Sequence, residues 1–143
     1  MSLEGRIVKG GCYMADLEQA RSLLRMAYKD FNALIGMQGS ALFAEEIFGF
    51  HVQQSVEKAL KAWLCASGVP YPLTHDLTRL LTLLEDQNAE VGKFWPLAQY
   101  TLFAVQARYE EGVADLDEPI DRTLEIEHVR ELLAHVEQRL APE

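Results

Sequence analysis

Four polar residues in one stretch of the sequence are the first place where we expect chemistry. The segment FHVQQSVEKALKAWL, residues 50–64, contains His51, Gln54, Lys58 and Lys61. At about 100° per residue these four side chains fall within a narrow arc of an α-helix, roughly opposite its apolar residues. An imidazole, an amide and two ammonium groups can together receive an anion. The pattern predicts either an anion-binding site or a solvated polar face.

The residues just before this stripe argue against a fully solvated face. Phe43, Ile47 and Phe50 project along the same arc as the polar side chains if the helix extends that far back. A side of a helix that carries such apolar residues does not simply face water throughout. We therefore expect the stripe to be half exposed, which suits a dimer contact or a ligand groove beside another helix.

Two later segments add polar candidates. In PYPLTHDL, residues 70–77, Asp76 favours a helix N-terminus, and His75 is either a loop residue or part of the site. Arg108 and Tyr109 can bind a phosphate and stack on a base, but an arginine near a helix end also complements the helix dipole. The residues alone leave both alternatives open.

The elements that position these residues are helices. Apolar residues at three- and four-residue intervals predict a first helix from Asp16 to Ile35, which Gly36 and Gly39 then break. The second and longest helix runs from near Ala41 to Ser67, where Gly68, Pro70 and Pro72 end it.

Three shorter helices are predicted after the central one. Thr74 caps the third, and a loop at residues 88–92 leads to the fourth, which ends near residues 108–109. The fourth helix has an apolar face of Trp95, Ala98, Leu102 and Val105. An acidic loop over residues 110–121 precedes the fifth helix, residues 121–139. We therefore predict an all-α, up-and-down bundle of four to five helices.

Composition narrows the class of protein further. The 143 residues include 13 basic and 22 acidic ones, a net charge of -9, which disfavours broad coating of nucleic acid. Cys12 and Cys65 have no zinc-site or disulfide spacing, and no stretch is long and apolar enough for a membrane span. We expect a cytoplasmic protein with a flexible leader at residues 1–13 and one bundle at residues 14–143.

Three segments in order resemble the HEPN domain family, whose name stands for higher eukaryotes and prokaryotes nucleotide-binding. They are FHVQQSVEKALKAWL followed by a Gly-Val-Pro turn, then THDLTRLL, then AVQARYE. The resemblance covers residues 14–140. It implies a helical bundle, frequently a homodimer, encoded in prokaryotes beside a minimal nucleotidyltransferase in a toxin–antitoxin or defence module. Some members resemble metal-independent ribonucleases with an Arg-x(4–6)-His motif, and others bind nucleotides or act as non-catalytic partners.

Arg130 and His135 provide the spacing of that ribonuclease motif. Glu131 stands where the family usually has a small polar residue, and the pair lies deep within the last helix. Side chains five positions apart on a helix diverge by about 140°, so the two meet only across a dimer interface or after local unwinding. Catalysis, if present, would use His135 as the acid or base and Arg130 to stabilise the phosphate charge.

The leading hypothesis is a HEPN-like binding domain that engages a nucleotide, an RNA or a nucleotidyltransferase partner. We expect no cofactor. We also expect no metal, because His128 and His135 are about 10 Å apart along one helix, too far to share one ion without other ligands. The alternatives are a ribonuclease toxin that uses Arg130 and His135, and a non-catalytic dimeric interaction module.

Overall fold

The computed structural model describes residues 7–8, 13–104 and 118–141. Its helices in chain order are α1 (Tyr13–Met37), α2 (Glu45–Ala66), α3 (Leu77–Glu85), the 3-10 helix η1 (Gly92–Phe103) and α4 (Arg122–Leu140). The strands β1 (Ile7–Val8) and β2 (Tyr71–Pro72) form one short antiparallel pair. The predicted all-α bundle is confirmed.

The two longest helices, α1 and α2, lie antiparallel against each other. Near the middle of the pair, the Ser55 hydroxyl donates to the Ala27 carbonyl over 2.9 Å. Further along, the Cys65 thiol contacts the Asp16 carbonyl at 3.1 Å, so the chain runs in opposite directions in the two helices. Small side chains allow this close approach, because Ala20, Ala27 and Ala59 are fully buried.

Helix α4 closes the bundle by packing antiparallel to α1 and parallel to α2. Gln38 bonds Thr123 at one end of the α1–α4 pair, and Tyr28 bonds Glu137 towards the other. The predicted apolar side of α4 is buried as expected, at Val129, Leu132, Leu133, Val136 and Leu140. Asp121 caps this helix by accepting a hydrogen bond from the Leu124 amide.

The central helix is shorter than its sequence pattern predicts. It begins at Glu45 rather than near Ala41, because Ala44 has an extended backbone with φ −62° and ψ 153°. The guanidinium of Arg122 donates to three carbonyls of the preceding turn, including that of Phe43 at 2.7 Å. Phe43 therefore belongs to the turn, and the prediction that it lies on the same helical arc as the polar stripe was wrong.

The fourth helix was also predicted with the wrong face. It is a 3-10 helix, in which residues three apart lie directly above one another. Its buried residues are accordingly Phe94, Leu97, Tyr100 and Phe103. The α-helical spacing instead predicted burial of Trp95, Ala98, Leu102 and Val105. Of these, Leu102 is 48% exposed, and Val105 lies outside the described residues.

The N-cap of α3 is Asp76 and not Thr74. The Asp76 carboxylate accepts from the Thr78 amide at 3.0 Å, and the Thr74 hydroxyl accepts from the Asp76 amide just before the helix begins. Thr74 therefore shapes the turn that leads into the helix. This turn matters for the site because it also contains His75.

Several sequence predictions fall on parts of the chain that the structure does not describe. Cys12 and most of the acidic loop lie outside the described residues. Of the proposed leader, residues 7 and 8 form β1, which pairs with β2 next to α2.

Candidate functional site

The polar stripe of α2 is joined to α1 through one carboxylate. Asp30 accepts from His51 Nδ1 at 3.0 Å through one oxygen and from Lys58 Nζ at 2.6 Å through the other. The Asp30 side chain is 12% exposed, and those of His51 and Lys58 are 28% and 21% exposed. The antiparallel register of α1 and α2 produces this cluster, because it places Asp30 between two residues that lie two turns apart on α2.

A second carboxylate organises the other side of the stripe. Glu57 is almost fully buried, and its two oxygens accept separately from His75 Nδ1 at 2.8 Å and from Lys61 Nζ at 3.0 Å. Gln53 adds a hydrogen bond to Glu57 at 2.9 Å and another to the His75 carbonyl at 3.1 Å. Gln54 in turn donates to the Gln53 side chain at 2.7 Å. The loop before α3 is thereby fixed to α2.

Both carboxylates are ionised at neutral pH. Burial raises the pKa of Asp30, but the hydrogen bonds and charges of His51 and Lys58 outweigh it and leave the pKa below its usual value. Burial likewise raises the pKa of Glu57, and the contacts from Gln53, His75 and Lys61 more than compensate. Each lysine of the stripe is therefore already paired with a negative charge inside the chain.

The stripe lies between two different elements, and we call the surface between them the channel. Asp30 and α1 form one wall, and the loop with His75 forms the other. Lys61 is buried beneath this second wall, with its ammonium 5.8 Å from the centre of the Tyr71 ring. The predicted half exposure therefore describes His51, Gln54 and Lys58, whereas Lys61 is more deeply buried than we expected.

Apolar side chains continue the same arc towards the start of α2. Ile47 is 44% exposed, and Phe50 is partly exposed one turn from Gln54. We define the α2 arc as Ile47, Phe50, His51, Gln54 and Lys58. Every residue of the arc is at least partly exposed, and the Asp30 carboxylate balances the charge of Lys58.

Of the other predicted site residues, the structure describes Arg130 and His135, and neither forms a hydrogen bond or an ion pair with the stripe. Arg108 and Tyr109 lie outside the described residues. Arg130 is on the surface, where it pairs with Glu127 at 3.3 Å and lies over the Phe31 ring at 5.1 Å.

His135 faces a different part of the bundle from Arg130. Its ring lies 4.5 Å from that of Trp63 and 5.8 Å from that of Phe94, centre to centre. Its Nε2 accepts from Arg139 Nε at 3.1 Å. Burial, helped by the charges of Arg139 and Lys93, lowers its pKa, so the ring is neutral at pH 7. Within one chain, Arg130 and His135 therefore contact different neighbours.

Sequence reasoning missed the acidic half of the site. The i, i+4 spacing of Gln53, Glu57 and Lys61 was a usable signal, because residues so spaced are neighbours on a helix. Asp30 gave no such signal. Only the register between α1 and α2 brings it to His51 and Lys58.

Two negative findings concern the described residues. None of the helices there has the length and apolar character to cross a membrane. In the same residues, no group of three or more His, Cys, Asp or Glu side chains is arranged to hold a metal ion.

Comparison with known protein families identifies the family of this chain. A family model described as HEPN domain matches residues 15–140, which is most of the chain. No curated protein and no solved structure matches the sequence significantly.

Proposed function

The chain belongs to the HEPN domain family, and from this premise we propose that it is a non-catalytic binding module that dimerises through the α2 arc. The dimer would serve as the partner of a minimal nucleotidyltransferase in a cytoplasmic, prokaryotic toxin–antitoxin or defence module. HEPN domains commonly dimerise, which supports the first part of this proposal.

The observation that carries the proposal is the pairing of the stripe's lysines with buried carboxylates. An anion that enters the channel must compete with Asp30 for Lys58 and with Glu57 for Lys61. Both ammonium groups therefore already use a charge-assisted hydrogen bond within the chain. A nearly neutral, pre-ordered polar surface suits contact with another protein, since its side chains are already fixed before binding.

The composition of the α2 arc supports the same conclusion. Ile47 and Phe50 provide apolar surface, and Gln54 provides amide hydrogen bonds. Protein interfaces combine an apolar centre with polar groups around it, and charged residues are depleted at the centre. In a two-fold dimer the same arc is used by both copies, so a single change there acts twice.

Sedimentation equilibrium tests the dimer. We expect the wild-type chain to be dimeric and Ile47→Glu to be monomeric, because the carboxylate would be buried without a partner. Leu102→Glu is the matched control and should leave the dimer intact. Leu102 is 48% exposed on η1, and its neighbour Phe103 packs at Gly49, on the side of α2 opposite the arc. A monomeric wild type, or an Ile47→Glu protein that remains dimeric with an unchanged fold, contradicts the proposal.

A separate experiment tests the alternative that the stripe with His75 binds a nucleotide or an RNA. ATP, GTP and short RNAs are titrated against the wild type and Lys58→Ala. The proposed protein interface predicts no binding that depends on Lys58. Binding that Lys58→Ala abolishes would instead assign the channel to a phosphate ligand.

A further inference from the structure

A groove lies between the first half of α1 and the last turn of α4, away from the α2 arc. It has a volume of about 390 Å³. Leu24 and Leu140 form its apolar floor, and both belong to the edge of the hydrophobic core. This volume lies within the range of about 300–1,000 Å³ typical of small-molecule sites.

Two arginines one helical turn apart line one side of the groove. Arg21 Nη2 donates to the Leu140 carbonyl at 3.4 Å, which holds its guanidinium against the end of α4. Arg25 is exposed, and among the described residues it has no ion-pair partner. Two such guanidinium groups can donate hydrogen bonds to a carboxylate or phosphate from two directions.

The acidic group that lines the groove is already engaged. Glu137 accepts from the Tyr28 hydroxyl at 3.0 Å. Burial, together with the hydrogen bond and charge of Glu137, raises the pKa of Tyr28 to about 12, so the phenol stays protonated and keeps donating. Among the described residues Glu137 forms no ion pair with Arg25, so the Arg25 guanidinium is not committed to this carboxylate.

A polar hollow of about 510 Å³ is lined by the same two arginines. Ser22 and Gln19 line it, together with Glu18. Arg21 and Arg25 thus stand between an apolar groove and a polar hollow. A ligand that spans this boundary would place its apolar part on the leucines and its charge on the guanidinium groups.

We propose that this groove binds a small amphipathic anion, an organic phosphate or carboxylate with an apolar body. The body packs on Leu24 and Leu140, and the anionic head lies between Arg21 and Arg25. The proposal is independent of the dimer, because none of these residues belongs to the α2 arc.

The test is a titration followed by NMR on the full-length protein, with three probes. AMP represents an organic phosphate that carries an aromatic base, and octanoate represents an aliphatic carboxylate. Inorganic phosphate represents the anionic head alone. We expect at least one organic probe to shift the amide signals of residues 21–28 and 137–141 and to bind about tenfold or more tightly than inorganic phosphate. Whether AMP or octanoate binds more tightly shows whether the groove prefers an organic phosphate or a carboxylate.

Substitutions of Arg25 distinguish binding in this groove from general attraction of an anion to positive charge. Arg25→Ala should weaken the bound probe about tenfold, as the loss of a charged hydrogen bond predicts, and Arg25→Lys should recover part of the loss. Arg79→Ala on α3 removes the same charge elsewhere and should leave binding unchanged. The proposal is overturned if neither organic probe binds more tightly than inorganic phosphate, or if Arg25→Ala and Arg79→Ala have equal effects.

Discussion

Replacing Asp30 with asparagine tests whether the carboxylate beneath the α2 arc holds α1 and α2 together. Both Asp30 oxygens accept, from His51 and from Lys58, so the amide nitrogen of the replacement side chain must face one of these donors. A hydrogen bond to a charged group contributes about 1.5–3 kcal/mol, and breaking a buried ion pair costs about 3–5 kcal/mol. His51 and Lys58 keep partial access to water. We therefore expect a loss of about 2–3 kcal/mol in the free energy of unfolding at pH 7.

The loss of stability in Asp30→Asn should depend on pH. The folded-state pKa of Asp30 is below its ordinary value of 3.8, so its stabilising contribution is complete above that value. It is lost as pH falls through the folded-state pKa, where the carboxylate takes up a proton. The difference between wild type and Asp30→Asn should consequently shrink between about pH 5 and about pH 2.

Urea unfolding at several pH values, followed by circular dichroism, measures both effects. Asp86→Asn is the control, because Asp86 is exposed at the end of α3 and its replacement should change stability by less than about 0.5 kcal/mol. The reasoning is refuted if Asp30→Asn unfolds like Asp86→Asn at pH 7, or if its deficit persists unchanged in acid.

Three further predictions address the fold and the catalytic alternative. Gly49→Ala should cost about 1–3 kcal/mol in urea unfolding, because its Cβ would lie 2.4 Å from the Phe103 ring. At Gly36 an added Cβ would meet nothing within 4 Å, so Gly36→Ala should stabilise α1 by up to about 1 kcal/mol. Equal effects of the two substitutions would contradict this packing. Asp121→Ala should cost about 1 kcal/mol in the same assay by removing the N-cap of α4, and an unchanged midpoint would show that the cap is dispensable. Wild type and His135→Ala should leave a labelled RNA equally intact, and cleavage by the wild type alone would restore the ribonuclease hypothesis.

Sequence periodicity predicted the long α-helices well, because each buries one continuous apolar side. Ala20, Leu24 and Phe31 of α1 are buried as their spacing requires. The same rule failed for η1, where Pro96 lies within the helix and the repeat is three residues instead of about 3.6. Phe94, Leu97, Tyr100 and Phe103 carry this three-residue repeat in the sequence itself, so a test for that period would have found the buried side.

The sequence predicted which polar residues lie on the same side of α2, but not which residue of a neighbouring helix contacts them. The helical wheel of α2 grouped His51 with Lys58 correctly, but it could not show which residue of α1 faces them. Asp30 meets both only through the register of the α1–α2 pair, which depends on the turn at residues 38–44 and on close packing of small residues. Of the two ion pairs that favour a protein interface over an anion site, Lys58–Asp30 follows from that register, whereas Lys61–Glu57 follows from the i,i+4 spacing within α2.

Intermolecular contacts at Ile47 test the central claim most directly. A sample that mixes isotope-labelled and unlabelled chains allows an isotope-filtered NOE experiment, which detects only contacts between copies. We predict NOEs from the Ile47 methyl groups and the Phe50 ring of one copy to the α2 arc of the other. The account is contradicted if the contacts between copies come from Leu102 or Leu124 instead, or if none are observed at concentrations where sedimentation shows a dimer.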